Sequence, residues 1–410
     1  MSAGLVIVGA SYAGLQIAAA AREYGYAEPI LMLGDEPHAP YQKPPLSKGY
    51  LTEKVAEAAL PLRGDAFFKE NAVEFAPGNR VARLDLSARR VVVADGRYYS
   101  FAKLALTCGS RARRLAIPGA DLAGVHVLRT LDDARALRAT MRETRRAVVI
   151  GGGYVGLEVA ASLIGAGLEV TVLETANQVL ARVAMPPLAD YLARKHAEKG
   201  VDLRFGTTAR AILGAEGRVR AVECQDGTQV PADLVVIGIG AIPNGELAAE
   251  AGLACRGGAI LVDDQARTSV TDIVAAGDCA ATERDGQLIR LESVQNANDQ
   301  ARAAATALVG LPAPAATVPW FWSDQYDLKL QTAGLAAGHD AVAVRGSMAA
   351  DRFGLFYFRN RQLIAVDTVN RPGDHLLARR LLARRVPLTA GQVADESIDL
   401  RALLDQSATS

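Results

Sequence analysis

Apolar residues in this chain cluster in short unbroken runs more than they alternate with polar ones. Residues 5–8 and 147–150 are aliphatic runs, each followed by a glycine-rich turn and then an alanine-rich stretch of helical periodicity. A four-residue aliphatic run bounded by glycine fits a strand covered on both faces, as in a parallel sheet. The helical stretches stop at Gly25 and near Gly165 or Gly167, and second aliphatic runs follow at 30–33 and 170–173. The pattern predicts two β-α-β units.

The two units are copies. VIVGASYAGLQIA at 6–18 returns as VVIGGGYVGLEVA at 148–160, an offset of 142 residues. In the second copy Gly151, Gly153 and Gly156 form G-x-G-x-x-G, and Glu174 ends the next strand 18 residues after Gly156. The first glycine makes a tight turn, the second lets backbone approach a pyrophosphate, and the third lets helix and strand pack closely. The helix N-terminus then faces the anion with its free N–H groups. The first copy keeps Gly9 and Gly14 but has Ser11 at the middle position, with Ala13 beside the last glycine and Asp35 or Glu36 as its acid. Serine is small enough to keep that approach open. Two dinucleotides are expected, one on each copy.

Composition narrows the class. The 410 residues allow two or three domains, at roughly 150 residues each. Lys+Arg and Asp+Glu balance at 45 each, which argues against general nucleic-acid binding. The most apolar segment, 148–173, is interrupted by glycines and carries Glu158 and Glu169, so no membrane span is expected. With no basic stretch leading into an apolar core at the N-terminus, a cytoplasmic protein is expected. Cys108, Cys224, Cys255 and Cys279 show no C-x-x-C spacing and the five histidines lie far apart, so neither a disulfide framework nor a metal site is predicted.

A third segment, TSVTDIVAAGDCA at 268–280, ends a β-run in Gly277-Asp278. It resembles the second FAD motif of two-dinucleotide flavoenzymes, where the aspartate binds the ribityl chain. With VIVGASYAG, LGDE, PPLSKGYL, LRTLDDA, VVIGGGYVGLEVAA, VTVLE, PADLVVIGIGAIPN, WFWSDQYDLKLQ and VDTVNRP, nearly the whole chain resembles the NADH-dependent ferredoxin reductases of bacterial oxygenase systems. The resemblance implies an α/β protein with two Rossmann-like domains and a smaller α/β C-terminal domain. It places an FAD domain at 1–110 and 245–318, an NADH domain at 111–244 and the C-terminal domain at 319–410.

It also implies FAD contacts at Gly9, Ser11, Ala13, Gly14, Asp35, Lys48, Val81, Arg129, Asp278 and Val294, with Trp322 beside the flavin. NADH contacts fall on Gly151, Gly153, Tyr154, Gly156, Glu158, Glu174 and Gly240. Lys48, paired with Glu158, is expected under flavin N5, and Tyr154 is expected to cover the flavin until nicotinamide displaces it. The sequence departs from relatives at Gln295, often proline, and at Thr107-Cys108-Gly109, usually Ala-Thr-Gly.

Glu174 suits a ribose 2′-OH and repels a 2′-phosphate, so NADH is expected over NADPH. Pro44 and Pro45 are expected to hold an extended backbone. No cysteine precedes Cys108, which removes the thiol relay of disulfide reductases and of peroxidases of this fold. The electron acceptor implied by the resemblance is a 2Fe-2S ferredoxin. Arg359, Arg361, Arg379, Arg380, Arg384 and Arg385 are candidates for its electrostatic docking. A rubredoxin reductase, or an NADH-sensing flavoprotein like the apoptosis-inducing factors, is the alternative.

Overall fold

A computed structural model describes residues 4–284 and 286–406. The chain divides into two compact units. The first comprises Met1–Gln42, Ala58–Arg111 and Ala241–Thr317, and the second Lys43–Glu57, Ala112–Gly240 and Val318–Ser410.

The first unit is built on a five-stranded parallel sheet. Its strands, in spatial order, are Ile273–Ala275, Lys103–Leu106, Leu5–Val8, Ile30–Leu33 and Val73–Ala76. Leu5–Val8 is buried along its whole length, which is why it reads as an unbroken aliphatic run. On one face the helices Tyr12–Glu23 and Val294–Val309 share a core through small residues, Ala18 and Ala21 with Ala297, Ala301 and Ala304. An antiparallel meander of Val81–Asp85, Arg90–Val93 and Tyr98–Ser100 contributes to the core on the other face.

The second unit repeats that plan. Asp202–Arg204, Glu169–Leu173, Arg146–Ile150, Leu234–Ile237 and Val125–Val127 form a parallel sheet, and Ala209–Ala215, Arg218–Cys224 and Gln229–Pro231 form the matching meander. The repeat therefore runs well past the fingerprint, through a third strand, a meander and a fourth strand. A third sheet in this unit is antiparallel: Trp320–Gln325, Leu328–Gly334, Gln362–Val369, Arg352–Arg359 and Ala341–Ser347. Helix Pro372–Arg384 buries Ala378 and Leu381 against Phe356, Phe358 and Val366 of this sheet. The fold class expected from the sequence is the one observed. Among the described residues no helix is long and apolar enough to cross a membrane.

Candidate functional site

Both fingerprint turns are as tight as their glycines imply. Gly9 has φ +113°, and a Cβ on it would lie 2.2 Å from the Thr107 carbonyl oxygen; Gly151, at φ +111°, would meet the Gly238 oxygen at 2.6 Å. A Cβ on the last glycine of either turn, Gly14 or Gly156, would run into the carbonyl oxygen of the first at 2.2 and 2.1 Å. Gly153 differs: the nearest atom to an added Cβ is 3.9 Å away, so this position opens outward.

The helices that follow begin without a side-chain cap. Ser11 precedes Tyr12–Glu23 and Gly153 precedes Tyr154–Gly165, and neither accepts from the first turn. By contrast, Thr130 and Asp133 close a full capping box on helix Leu131–Met141, and Ser293 caps Val294–Val309. A helix start left uncapped keeps its N–H groups for an anion. Two such starts, each behind a turn with no room for a Cβ at its outer glycines, fit two dinucleotide pyrophosphates.

The acids differ between the copies. Glu174 directly follows strand Glu169–Leu173, and its carboxylate accepts from the N–H of Gly152 at 2.7 Å and of Ala176 at 2.8 Å. In the first copy Gly34 follows the strand and the acid comes one residue later: Asp35 is exposed, while Glu36 accepts from the Tyr41 hydroxyl at 2.5 Å. The Asp278 carboxylate accepts from the Ser110 hydroxyl at 2.8 Å, and the Gly277 N–H donates to Gln300 at 2.9 Å, so the ends of that loop are held from two elements. Ala13 packs where a Cβ on Gly277 would be 3.4 Å away, Val81 is buried at the start of the meander, and Val294 opens its helix. Gln295 donates to Asp299 along that helix at 2.7 Å. Burial pushes the Cys108 thiol well up and the Cys279 thiol up to about 11, which keeps both protonated.

In the second unit, Lys48 and Glu158 meet as expected: Nζ lies 2.7 Å from Oε2. Glu158 sits on a helix whose residues Gly156 to Leu163 are all buried, and only 5% of its side chain is exposed. A buried carboxylate must be compensated, and this one is. Besides the lysine, the Ser47 hydroxyl donates to Oε2 at 2.5 Å and the Ser323 hydroxyl to Oε1 at 2.6 Å. Neither serine was legible as a site residue. Ser323 stood inside a recognisable motif, but nothing in WFWSDQ announces which hydroxyl points at an acid 165 positions away.

The backbone beside Lys48 is not extended. Pro44–Ser47 is a 3₁₀ turn with prolines at its first two positions, and Leu46 N–H bonds back to Lys43 O at 3.0 Å. Prolines suit a helical start because those N–H groups would have no partner anyway, and their fixed φ is already helical. Lys43 takes αR geometry although it precedes a proline. The turn places Ser47 and Lys48 side by side on the Glu158 carboxylate, and Ser162 donates to the Ser47 carbonyl oxygen at 2.7 Å to hold it there.

The Tyr154 ring contacts Phe321 at a centroid distance of 4.6 Å, and burial pushes its phenol pKa up. Trp322 lies against Trp320 at 5.6 Å, and Arg129 precedes the capped helix, its N–H donating to Asp133. Gly240, at φ +105°, faces the Arg182 guanidinium, 3.2 Å from an added Cβ; the sequence had not singled this arginine out.

Residues 3–301 match the pyridine nucleotide-disulphide oxidoreductases and residues 320–404 the reductase C-terminal family. The chain belongs to the pyridine nucleotide-disulphide oxidoreductase family. It is 44% identical to rhodocoxin reductase of Rhodococcus erythropolis, over 97% of this chain and 93% of that protein. It is 43% identical to a ferredoxin–NAD(P)(+) reductase of a Sphingomonas species, over 94% of each. Among solved structures, the covalent putidaredoxin reductase–putidaredoxin complex contains a chain that matches with a TM-score of 0.95 and 38% identity over the full length of both. The family resemblance read from the motifs is thereby borne out.

Proposed function

We propose that this protein is an FAD-dependent NADH:ferredoxin oxidoreductase that takes hydride from NADH and passes single electrons to a 2Fe-2S ferredoxin serving an oxygenase. The observation that carries the reading is the pair of glycine turns with no room for a Cβ at their outer positions, each opening an uncapped helix, in one chain. FAD, when bound, supplies the redox chemistry by accepting a hydride and releasing its electrons one at a time. The chain supplies binding, orientation and charge.

In this reading FAD belongs to Gly9, Ser11, Ala13, Gly14, Asp35, Val81, Arg129, Asp278 and Val294, within a domain of residues 1–110 and 245–318. NADH belongs to Gly151, Gly153, Tyr154, Gly156, Glu174 and Gly240, within residues 111–244. Glu174 selects NADH, since a 2′-phosphate would meet its carboxylate. Lys48 is assigned to the flavin N5 edge, where a cation favours the electron-rich reduced ring, and Glu158 fixes the lysine there. Trp322, in the C-terminal domain from 319, is assigned a place beside the flavin. The protein works in the cytoplasm.

Stopped-flow reduction by NADH, with and without a 2Fe-2S ferredoxin, tests this. Rapid flavin reduction followed by ferredoxin reduction is expected. A long-lived flavin–nicotinamide complex that never reduces the ferredoxin overturns it in favour of an NADH-sensing flavoprotein, and reduction of rubredoxin alone reassigns the partner. Lys48→Ala is expected to slow flavin reduction at least about tenfold and to lower the flavin midpoint potential; unchanged values for both refute the assignment of Lys48.

A further inference from the structure

Glu158 is the end of a longer chain of buried polar groups. Ser323, whose hydroxyl donates to Glu158 Oε1, accepts from Gln325 Nε2 at 3.1 Å. The Gln325 Oε1 lies 2.8 Å from His196 Nε2, and the Tyr326 hydroxyl lies 2.9 Å from His196 Nδ1. Ser323 and His196 are fully buried and Gln325 is 2% exposed, so each can be satisfied only by its neighbours.

The chemistry of these groups gives the chain one direction. A carboxylate only accepts, so Ser323 must donate to it and can then accept only from an amide N–H. With the amide nitrogen spent on Ser323, Gln325 Oε1 accepts from His196 Nε2–H. In a neutral ring, which burial favours, the other nitrogen accepts from Tyr326. Every hydrogen bond points toward Glu158, and the histidine is held neutral with its proton on Nε2. Burial also lowers the His196 pKa, which agrees with the neutral ring.

Three elements converge here. His196 belongs to helix Pro186–Glu198, Glu158 to helix Tyr154–Gly165, and Ser323 and Gln325 to strand Trp320–Gln325 at alternate positions, hence on one face. At the end of that strand Tyr326 has φ +56°, a conformation that bulky residues seldom adopt, and its ring lies 5.1 Å from the imidazole. That φ belongs to the two-residue turn that joins Gln325 to Leu328, and the turn delivers the hydroxyl to the end of the chain.

We propose that Ser323, Gln325 and His196 are positioning residues for the reaction, aiming the Glu158 carboxylate so that it holds Lys48 at the nicotinamide–flavin centre. The proposal rests on the function proposed above. None of the three is expected to touch either cofactor. Removing the Ser323 hydroxyl leaves Oε1 without a donor in a buried place, whereas removing Gln325 leaves the serine free to turn away.

The test has two parts. In the wild-type flavoprotein, ¹⁵N NMR of the histidine ring is expected to report neutral His196 with the proton on Nε2, and Gln325→Leu to lose that single tautomer. In Ser323→Ala the rate constant for flavin reduction is expected to fall about tenfold, with KM for NADH changed less than about twofold, and Ser323→Thr to recover most of the rate. Wild-type His196 carrying its proton on Nδ1, or being charged at neutral pH, overturns the proposal without need of any variant. Ser323→Ala and Gln325→Leu reducing at the wild-type rate overturn it as well. A wild-type protein whose flavin NADH cannot reduce is a different failure: it brings down the function itself, and the positioning role with it.

Discussion

The two fingerprint turns share strand, loop and helix, yet differ in what stands behind the first glycine. In the first copy the residue after the fourth strand is Thr107, whose hydroxyl donates to the Gly9 carbonyl at 2.8 Å and lies 3.1 Å from that of Val8. In the second copy the equivalent residue is Gly238, which has no side chain and would place a Cβ 3.3 Å from Gly156 Cα. One turn is braced by a side chain and the other is bare backbone. Their acids differ too, since Asp35 is exposed while Glu174 is bonded into its own loop. A braced turn suits a cofactor that stays through every turnover, and a bare one suits a substrate that comes and goes.

The sharpest way to break this comparison is a side chain in each turn. Gly9→Val is expected to yield protein lacking FAD, seen as loss of the flavin absorbance. Gly151→Val is expected to keep the FAD and lose reduction by NADH by more than about a hundredfold, because strain and a collision with the Gly238 carbonyl fall only on the second turn. If both variants lose FAD, the division of roles is wrong. Next in size, Glu174→Ala is expected to raise KM for NADH about tenfold and to narrow the preference over NADPH, measured as the ratio of kcat/KM.

A third prediction concerns a buried acid that has no counterpart among the dinucleotide residues. Burial pushes the Asp367 carboxyl up to about 7, and the Tyr357 hydroxyl donates to it at 2.8 Å. The folded state therefore holds a proton that the unfolded chain releases near the ordinary carboxylate pKa. Its contribution is fully present below that pKa and is lost as pH rises toward about 7. Asp367→Asn is expected to flatten the fall in stability between roughly pH 4 and 7 and to gain up to about 4 kcal/mol above it, read from urea midpoints. An unchanged pH profile would show that the carboxyl is already ionised. The smallest effect is expected from Thr107→Val, which removes the brace for about 1–2 kcal/mol of stability and a faster loss of FAD on dilution.

Much of the architecture was legible because parallel strands covered on both faces write themselves as aliphatic runs, and glycine spacing marks the turns between them. The duplication was visible only at its first strand and helix. The meanders at 81–100 and 209–231 share their strand order and pairing but not a sequence pattern, since a half-exposed antiparallel strand asks only for rough alternation. The prolines misled, because the same fixed φ serves an extended chain and a helical first turn. Lys48 and Glu158 were found by resemblance. Their partners Ser47 and Ser323 were not, because hydroxyls are common and become informative only once a fold aims them at a buried charge.

Strand Trp320–Gln325 carries Trp320, Trp322 and Asp324 on one side and Phe321, Ser323 and Gln325 on the other. Losing Asp324, with Gln325 still paired to Leu328 across the turn, would bring Trp322 onto the side that faces the carboxylate and carry the Ser323 hydroxyl to the other. Here insertions and deletions are tolerable only in pairs, so this short segment should keep its parity however far the rest of the sequence drifts.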